Sequence, residues 1–61
     1  MSLKTEEEIQ KLKIEIRTRR LDFNEKIMYK DLTGRWYECP KYLLFNDKFI
    51  PLDLKIESNN I

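Results

Sequence analysis

The sequence has no histidine, and it has only one cysteine, one glycine and two prolines. Each shortage excludes something. Cys39 cannot close an intramolecular disulfide by itself, and without histidine no Cys/His set exists to hold a structural zinc. The imidazole that commonly serves as catalytic base is missing too, and Cys39 has only Lys41 near it in sequence as an activating charge. One glycine is too few for a phosphate-cradling loop. Carboxylates do not cluster in the manner of a metal site; Glu6, Glu7 and Glu8 stand at the start of a helix rather than in a cleft. The expectation is therefore no enzyme, no cofactor, no metal and no small-molecule substrate. No apolar run approaches the roughly 18 residues of a membrane span, and the first residues are polar and acidic, unlike a secretory signal. A lone thiol suits a reducing interior, so a cytoplasmic protein is expected. Lysine and arginine number 12 against 11 acids, a net charge of +1. That balance fits neither a typical nucleic-acid binder nor an acidic nucleic-acid mimic.

Charge and large apolar side chains are abundant. Charged residues make up 38% of the 61. The apolar set contains no Ala and no Val, only larger side chains. Ordering about 55 residues costs on the order of 80 kcal/mol, at roughly 1.5 kcal/mol each. Complete burial of the apolar set, about 3,000 Å², returns about 75 kcal/mol at about 25 cal/mol per Å². The terms cancel only if nearly every large side chain is covered. A chain this short cannot do that alone, and association is the expected remedy.

The N-terminal half predicts one long helix, at about residues 5–33. Thr5-Glu6-Glu7-Glu8 has the form of a capping box with acids at the positive end of the dipole. Glu7/Lys11, Glu15/Arg19 and Asp22/Lys26 are acid-first pairs at i,i+4. Nothing between residues 2 and 33 is Gly or Pro, and Gly34 stands where a left-handed residue would end the helix. At 100° per residue, Ile9, Leu12, Ile16, Phe23 and Ile27 form one apolar stripe, and Ile14, Leu21 and Met28 form a second. Two stripes call for two partners, one of them outside the chain. The Ile9/Leu12/Ile16 side, with Arg20 near it, is the slightly favoured outward surface.

After Gly34 the pattern turns to strands, at about 35–39, 42–45 and 48–56, with residues 58–61 a frayed tail. Asn46-Asp47 reads as a two-residue hairpin turn that pairs Leu43 with Ile50. Leu43, Phe45, Ile50, Leu52, Leu54 and Ile56 then share the buried face. Tyr42, Leu44, Phe49 and Pro51 share the other face, a second candidate interface. Pro51 is tolerable there only on an edge or at a bulge. The fold class is α+β: one domain, a long helix laid on one face of a three-stranded antiparallel meander.

The function expected from this pattern is protein interaction. The lead is a small homodimeric regulator, inhibitor or accessory subunit that binds a larger protein through its helix surface, at Ile9, Leu12, Ile16, Ile14, Leu21, Met28 and Arg20. Richness in Lys, Ile and Asn suits an AT-rich bacterial or phage genome. The alternative is a nucleic-acid-binding module that uses Arg17, Arg19, Arg20 and Lys26, with sheet aromatics such as Trp36 and Tyr37 as stacking platforms.

Overall fold

The computed structural model describes residues 4–58. A helix and a three-stranded antiparallel sheet form, as the α+β expectation requires, but partly from different residues. Helix α1 spans Glu6–Thr18. Strands β1 (Glu25–Lys30), β2 (Trp36–Glu38) and β3 (Asp53–Ser58) follow, with a 3-10 helix, Lys41–Phe45, between β2 and β3. The sheet order is β2-β1-β3, so the first strand is central and the strands do not lie in sequential meander order. Residues 59–61, the end of the expected tail, lie outside the described residues. Ser58 closes β3.

The start of α1 is the one its sequence specifies. Glu8 N–H donates to Thr5 Oγ1 at 3.2 Å, and Thr5 N–H donates to Glu8 Oε1 at 3.3 Å. The end comes early. Thr18 turns its hydroxyl back onto the Ile14 and Glu15 carbonyls, at 2.9 and 3.1 Å, and Arg19 is already extended, with ψ 140°. Arg19 pairs with Glu25 at 3.1 Å, not with Glu15. Glu25 also accepts from Asp22 N–H at 3.0 Å and donates its own amide to the Asp22 carbonyl at 3.0 Å. This Asp22-Phe23-Asn24 turn reverses the chain without glycine or proline, so the 5–33 helix is corrected to Glu6–Thr18. The i,i+4 pair Asp22/Lys26 does not exist.

Gly34 serves the β1–β2 hairpin and does not end a helix. Asp31 N–H bonds the Arg35 carbonyl, and Gly34 N–H bonds the Asp31 carbonyl, both at 3.0 Å. The three-residue loop closes on Gly34 at φ +83°, the left-handed conformation such loops place next to the bulge. Asp31 Oδ1 accepts from Thr33 Oγ1, Thr33 N and Arg35 N at 2.6, 3.0 and 3.2 Å. The Thr33 hydroxyl chiefly holds the Asp31 carboxyl below its ordinary value, with the Arg35 and Thr33 amides and the Arg35 charge adding to it against a smaller desolvation penalty.

The expected Asn46-Asp47 hairpin is likewise corrected. Pro40 caps the 3-10 helix at φ −62°, and the chain leaves that helix at Asn46. The Leu43–Ile50 pairing is absent, and the face assignment fails in part: Leu43, Leu54 and Ile56 stay on the core side, but Leu44 and Phe49 take the inward places expected of Phe45 and Ile50. Leu44 is 0% exposed, whereas Phe45 is 61% and Ile50 44% exposed. Pro51 is buried just before β3, where it takes no ladder position.

The core lies between the sheet and the two helices. Ile9 and Ile16 of α1, Ile27 of β1, Cys39, Leu44 and Leu54 are buried, and Leu12, Leu21, Tyr29, Leu43, Phe49 and Ile56 pack around them. Pairing of Ile27 with Ile56 and of Tyr29 with Leu54 and Tyr37 sets these side chains on the helix-facing side. Tyr29 stacks edge-on against Phe49, with centroids 5.2 Å apart.

Candidate functional site

Each expected interface residue has a definite place. Ile9 and Ile16 are core, and Leu12 is packed against it, so this side of α1 faces inward and is not the outward surface. The second stripe does not exist as a stripe. Ile14 is on α1 and half exposed, Leu21 packs on the core from the loop beyond, and Met28 sits mid-β1. Arg20 lies just past the helix, exposed. Of the second candidate interface, Leu44 is buried and Phe49 is half-buried against Tyr29, which leaves Tyr42 as its exposed member.

The basic residues are dispersed. Arg17 donates to the Leu44 carbonyl at 3.3 Å and lies 5.2 Å over the Phe45 ring, whereas Arg19 leaves the helix on the other side to reach Glu25. Lys26 is on β1, paired across the sheet with Glu57. The structure does not bring Arg17, Arg19, Arg20 and Lys26 onto one face, and Trp36 carries Lys55 over its ring at 4.3 Å. Cys39 is buried, and desolvation pushes its thiol up, with the Lys13 charge offsetting part of the rise. That thiol is poorly suited to nucleophilic work. Among the described residues, no group of three or more His, Cys, Asp or Glu could hold a metal, and no helix is long and apolar enough to cross a membrane.

Phe23, expected on the first stripe, and Leu32 stand singly in the turns before and after β1, both exposed. Two more extended surface features remain. The first is the outer side of the 3-10 helix. Its three-residue period sets Tyr42 and Phe45 one above the other, and both are largely exposed, at 72% and 61%. Leu44 points inward and anchors the turn. Arg17 against Phe45 completes a patch of tyrosine, phenylalanine and arginine, residue types suited to carrying binding energy.

The second is the free edge of β3. Cys39 N–H bonds the Ile27 carbonyl at 2.7 Å, and Asp31 N–H bonds Arg35, so odd-numbered residues of β1 turn their backbone groups to β2 and even-numbered ones to β3. Met28 is opposite Lys55, and Lys30 is opposite Asp53. Lys55 and Asp53 therefore bond inward, while Leu54, Ile56 and Ser58 aim their N–H and C=O groups outward. The Leu54 amide is covered by its neighbour's carboxylate, Asp53 Oδ1, at 2.8 Å. Lys4 holds that same oxygen at 2.7 Å. Desolvation of Asp53 is outweighed by these bonds and by the Lys4 and Lys30 charges, and its carboxyl lies below its ordinary value. No hydrogen bond from the described residues reaches the outward groups of Ile56. Beside this edge runs a groove of about 320 Å³, lined by Leu12, Glu15, Ile16 and Arg19 of α1 and by Leu54, Lys55 and Ile56 of β3.

Sequence reasoning missed Lys13. It is 2% exposed, and its Nζ donates to the Asn46 and Phe49 carbonyls at 2.7 and 2.8 Å. Its spacing, four residues after Ile9 and three before Ile16, was the available signal. Comparison with protein-family models, with curated proteins and with solved structures found no match to this chain.

Proposed function

We propose that this chain is a small protein-interaction module, cytoplasmic, that acts as a regulator, inhibitor or accessory subunit of a larger protein through the Tyr42/Phe45 face. The exposure of those two rings on one side of the 3-10 helix carries the reading. Phe23 is exposed singly, whereas Tyr42 and Phe45 lie side by side, and such adjacent rings deliver large contact area at low conformational cost when a partner covers them. The complementary surface is an apolar pocket with a carboxylate at its rim to meet Arg17. The helix contributes Arg17 to this face, while its apolar stripe is spent on the core.

The test is affinity capture from the source cell with the parent and the Tyr42→Ala/Phe45→Ala double variant. Both rings are largely outside the core, so circular dichroism and thermal melts of the variant should match the parent closely. A specific protein retained by the parent and lost from the folded variant is the expected result. Identical captured sets would refute the assignment of this face.

A further inference from the structure

We infer that β3 is a self-pairing edge: two copies of this chain join antiparallel along β3, with the two-fold axis at Ile56, into one continuous six-stranded sheet. This deepens the proposed interaction role by naming one partner, a second copy, on a surface separate from Tyr42 and Phe45.

The register follows from the direction of the backbone groups and the order of charges. Among the described residues of β3, Leu54, Ile56 and Ser58 present outward N–H and C=O groups. A two-fold axis at Ile56 sets Ile56 against Ile56 of the second copy and Leu54 against Ser58, so each outward residue meets another outward residue. About four backbone hydrogen bonds form without disturbing the Leu54 amides, and about six form if Asp53 releases them. On the solvent face the same register sets Lys55 opposite Glu57 of the second copy, twice by symmetry. Lys55 is exposed and shares or leaves the Trp36 ring to make this pair.

Other two-fold registers are poorer. Centring on Lys55 opposes Lys55 to itself and Asp53 to Glu57, and centring on Glu57 opposes two glutamates. Centring on Leu54 opposes Asp53 to Lys55 but needs both Leu54 amides, already taken by Asp53. It would also set Ile56 against Leu52, which precedes the strand and donates its amide inward to the Lys30 carbonyl at 2.9 Å. On the helix-facing side, the Ile56 pair lies at the mouths of the two grooves. The axis is perpendicular to the sheet, so both α1 helices sit on the same face and wall in those grooves. An edge whose outward groups at Ile56 meet no partner among the described residues is a template for strand addition, and here its charge order is complementary to itself.

The experiment is sedimentation equilibrium on the full chain, with Lys55→Glu, Glu57→Lys and their equimolar mixture, each checked for folding by circular dichroism. The parent is expected to dimerise reversibly. Each single variant sets like charges opposite one another at two places and should weaken self-association at least about tenfold. Mixing the two restores Lys–Glu opposition at both places, and heterodimer should return at concentrations where each variant alone is monomeric. A synthetic chain N-methylated at Ile56 loses only the outward amide and should be a folded monomer. A monomeric parent, dimerisation unaltered by the single variants, no recovery in the mixture, or a dimer that survives N-methylation each overturns the inference. None of these results bears on capture through Tyr42 and Phe45, so the two proposals fail independently.

Discussion

Replacing Lys13 with methionine should be among the most damaging single changes in the chain, although it removes a charge from a helix and leaves an apolar side chain of similar reach. Lys13 bridges α1 to the 46–49 loop through two carbonyls, at 2.7 and 2.8 Å, and its ammonium lies 5.8 Å from the Phe49 ring centroid. The two bonds are unequal in consequence. The Asn46 carbonyl also accepts from Phe49 N–H at 3.0 Å and keeps that bond in the variant, so its loss is about 1 kcal/mol. The Phe49 carbonyl is left without a partner among the described residues. A charge-assisted bond at such a site contributes about 1.5–3 kcal/mol. Methionine recovers the packing of the stem and avoids stripping water from an ammonium, which returns part of the total. The net expected loss is about 2–3 kcal/mol. For a 61-residue chain with total stability of about 3–9 kcal/mol, that is a large fraction. Urea unfolding followed by Trp36 fluorescence measures it, with Lys11→Met as the control on the exposed side of the same helix. A loss below about 0.5 kcal/mol in Lys13→Met would refute the view that this side chain pins the loop.

Other outcomes follow from the same geometry. Leu44→Ala should cost about 3 kcal/mol and Phe45→Ala under about 1 kcal/mol in chemical denaturation; the reverse order would restore the hairpin register in which Phe45 is core. Gly34→Ala should cost about 1–2 kcal/mol through its φ of +83° and not through crowding, since the nearest atom to an added Cβ is 3.9 Å away. Asp31 and Asp53 titrate below their ordinary 3.8 in the folded chain. Their contribution is therefore present above that pH and lost as pH falls through the depressed values. Melting temperature should drop on acidification below about pH 4, and the drop should be shallower in Asp31→Asn. Cys39, buried with its thiol pushed up, should react with a disulfide reagent at neutral pH only as fast as the chain opens. Immediate stoichiometric labelling of the native protein would contradict its burial.

The parts of the fold that could be read from sequence are those where one periodicity had no rival. Thr5 and Glu8 specify a helix start by themselves, and Leu54/Ile56 against Lys55/Glu57 alternate with nothing to suggest a helix. Residues 19–30 were ambiguous in a physical sense. Ile27 continues the helical spacing of Ile16 and Phe23, yet it also alternates with Tyr29 as a strand residue, and no glycine or proline breaks the stretch. What decides between the two is β3, about thirty positions further on, whose backbone pairs with β1 along its whole length. That contact is non-local, and no window of sequence around Ile27 contains it. Pro40 lies between two of the expected strands, yet an N-cap proline is equally at home before a 3-10 turn, and that choice puts Leu44 and Phe45 on opposite sides. The candidate surfaces inherited these errors. Tyr42 survived because it is exposed under either register, whereas Ile14, Leu21 and Met28 depended on a helix that stops at Thr18.

The shortened helix changes where the unmet demand for burial falls. A helix to residue 33 would have left a long apolar stripe in water; α1 as it stands spends Ile9, Leu12 and Ile16 on the core, so the chain needs no second helix to cover it. Besides single side chains such as Phe23 and Leu32 in the turns flanking β1, what stays uncovered includes the β3 edge and the outer side of the 3-10 turn, and these two differ in kind. The β3 edge offers directional backbone groups with a fixed order of charge, so it selects a strand of defined register. The Tyr42/Phe45 side offers area without direction, so it suits a pocket on another surface. A chain that self-pairs along β3 presents Tyr42 and Phe45 twice, related by the same two-fold axis. Its affinity for a partner carrying two such pockets would then depend on β3 even though β3 touches no part of that partner. Weakening the edge with Lys55→Glu should therefore reduce binding to a two-pocket partner while leaving the affinity for an isolated pocket unchanged. Equal losses for both would mean that the edge itself belongs to the docking surface.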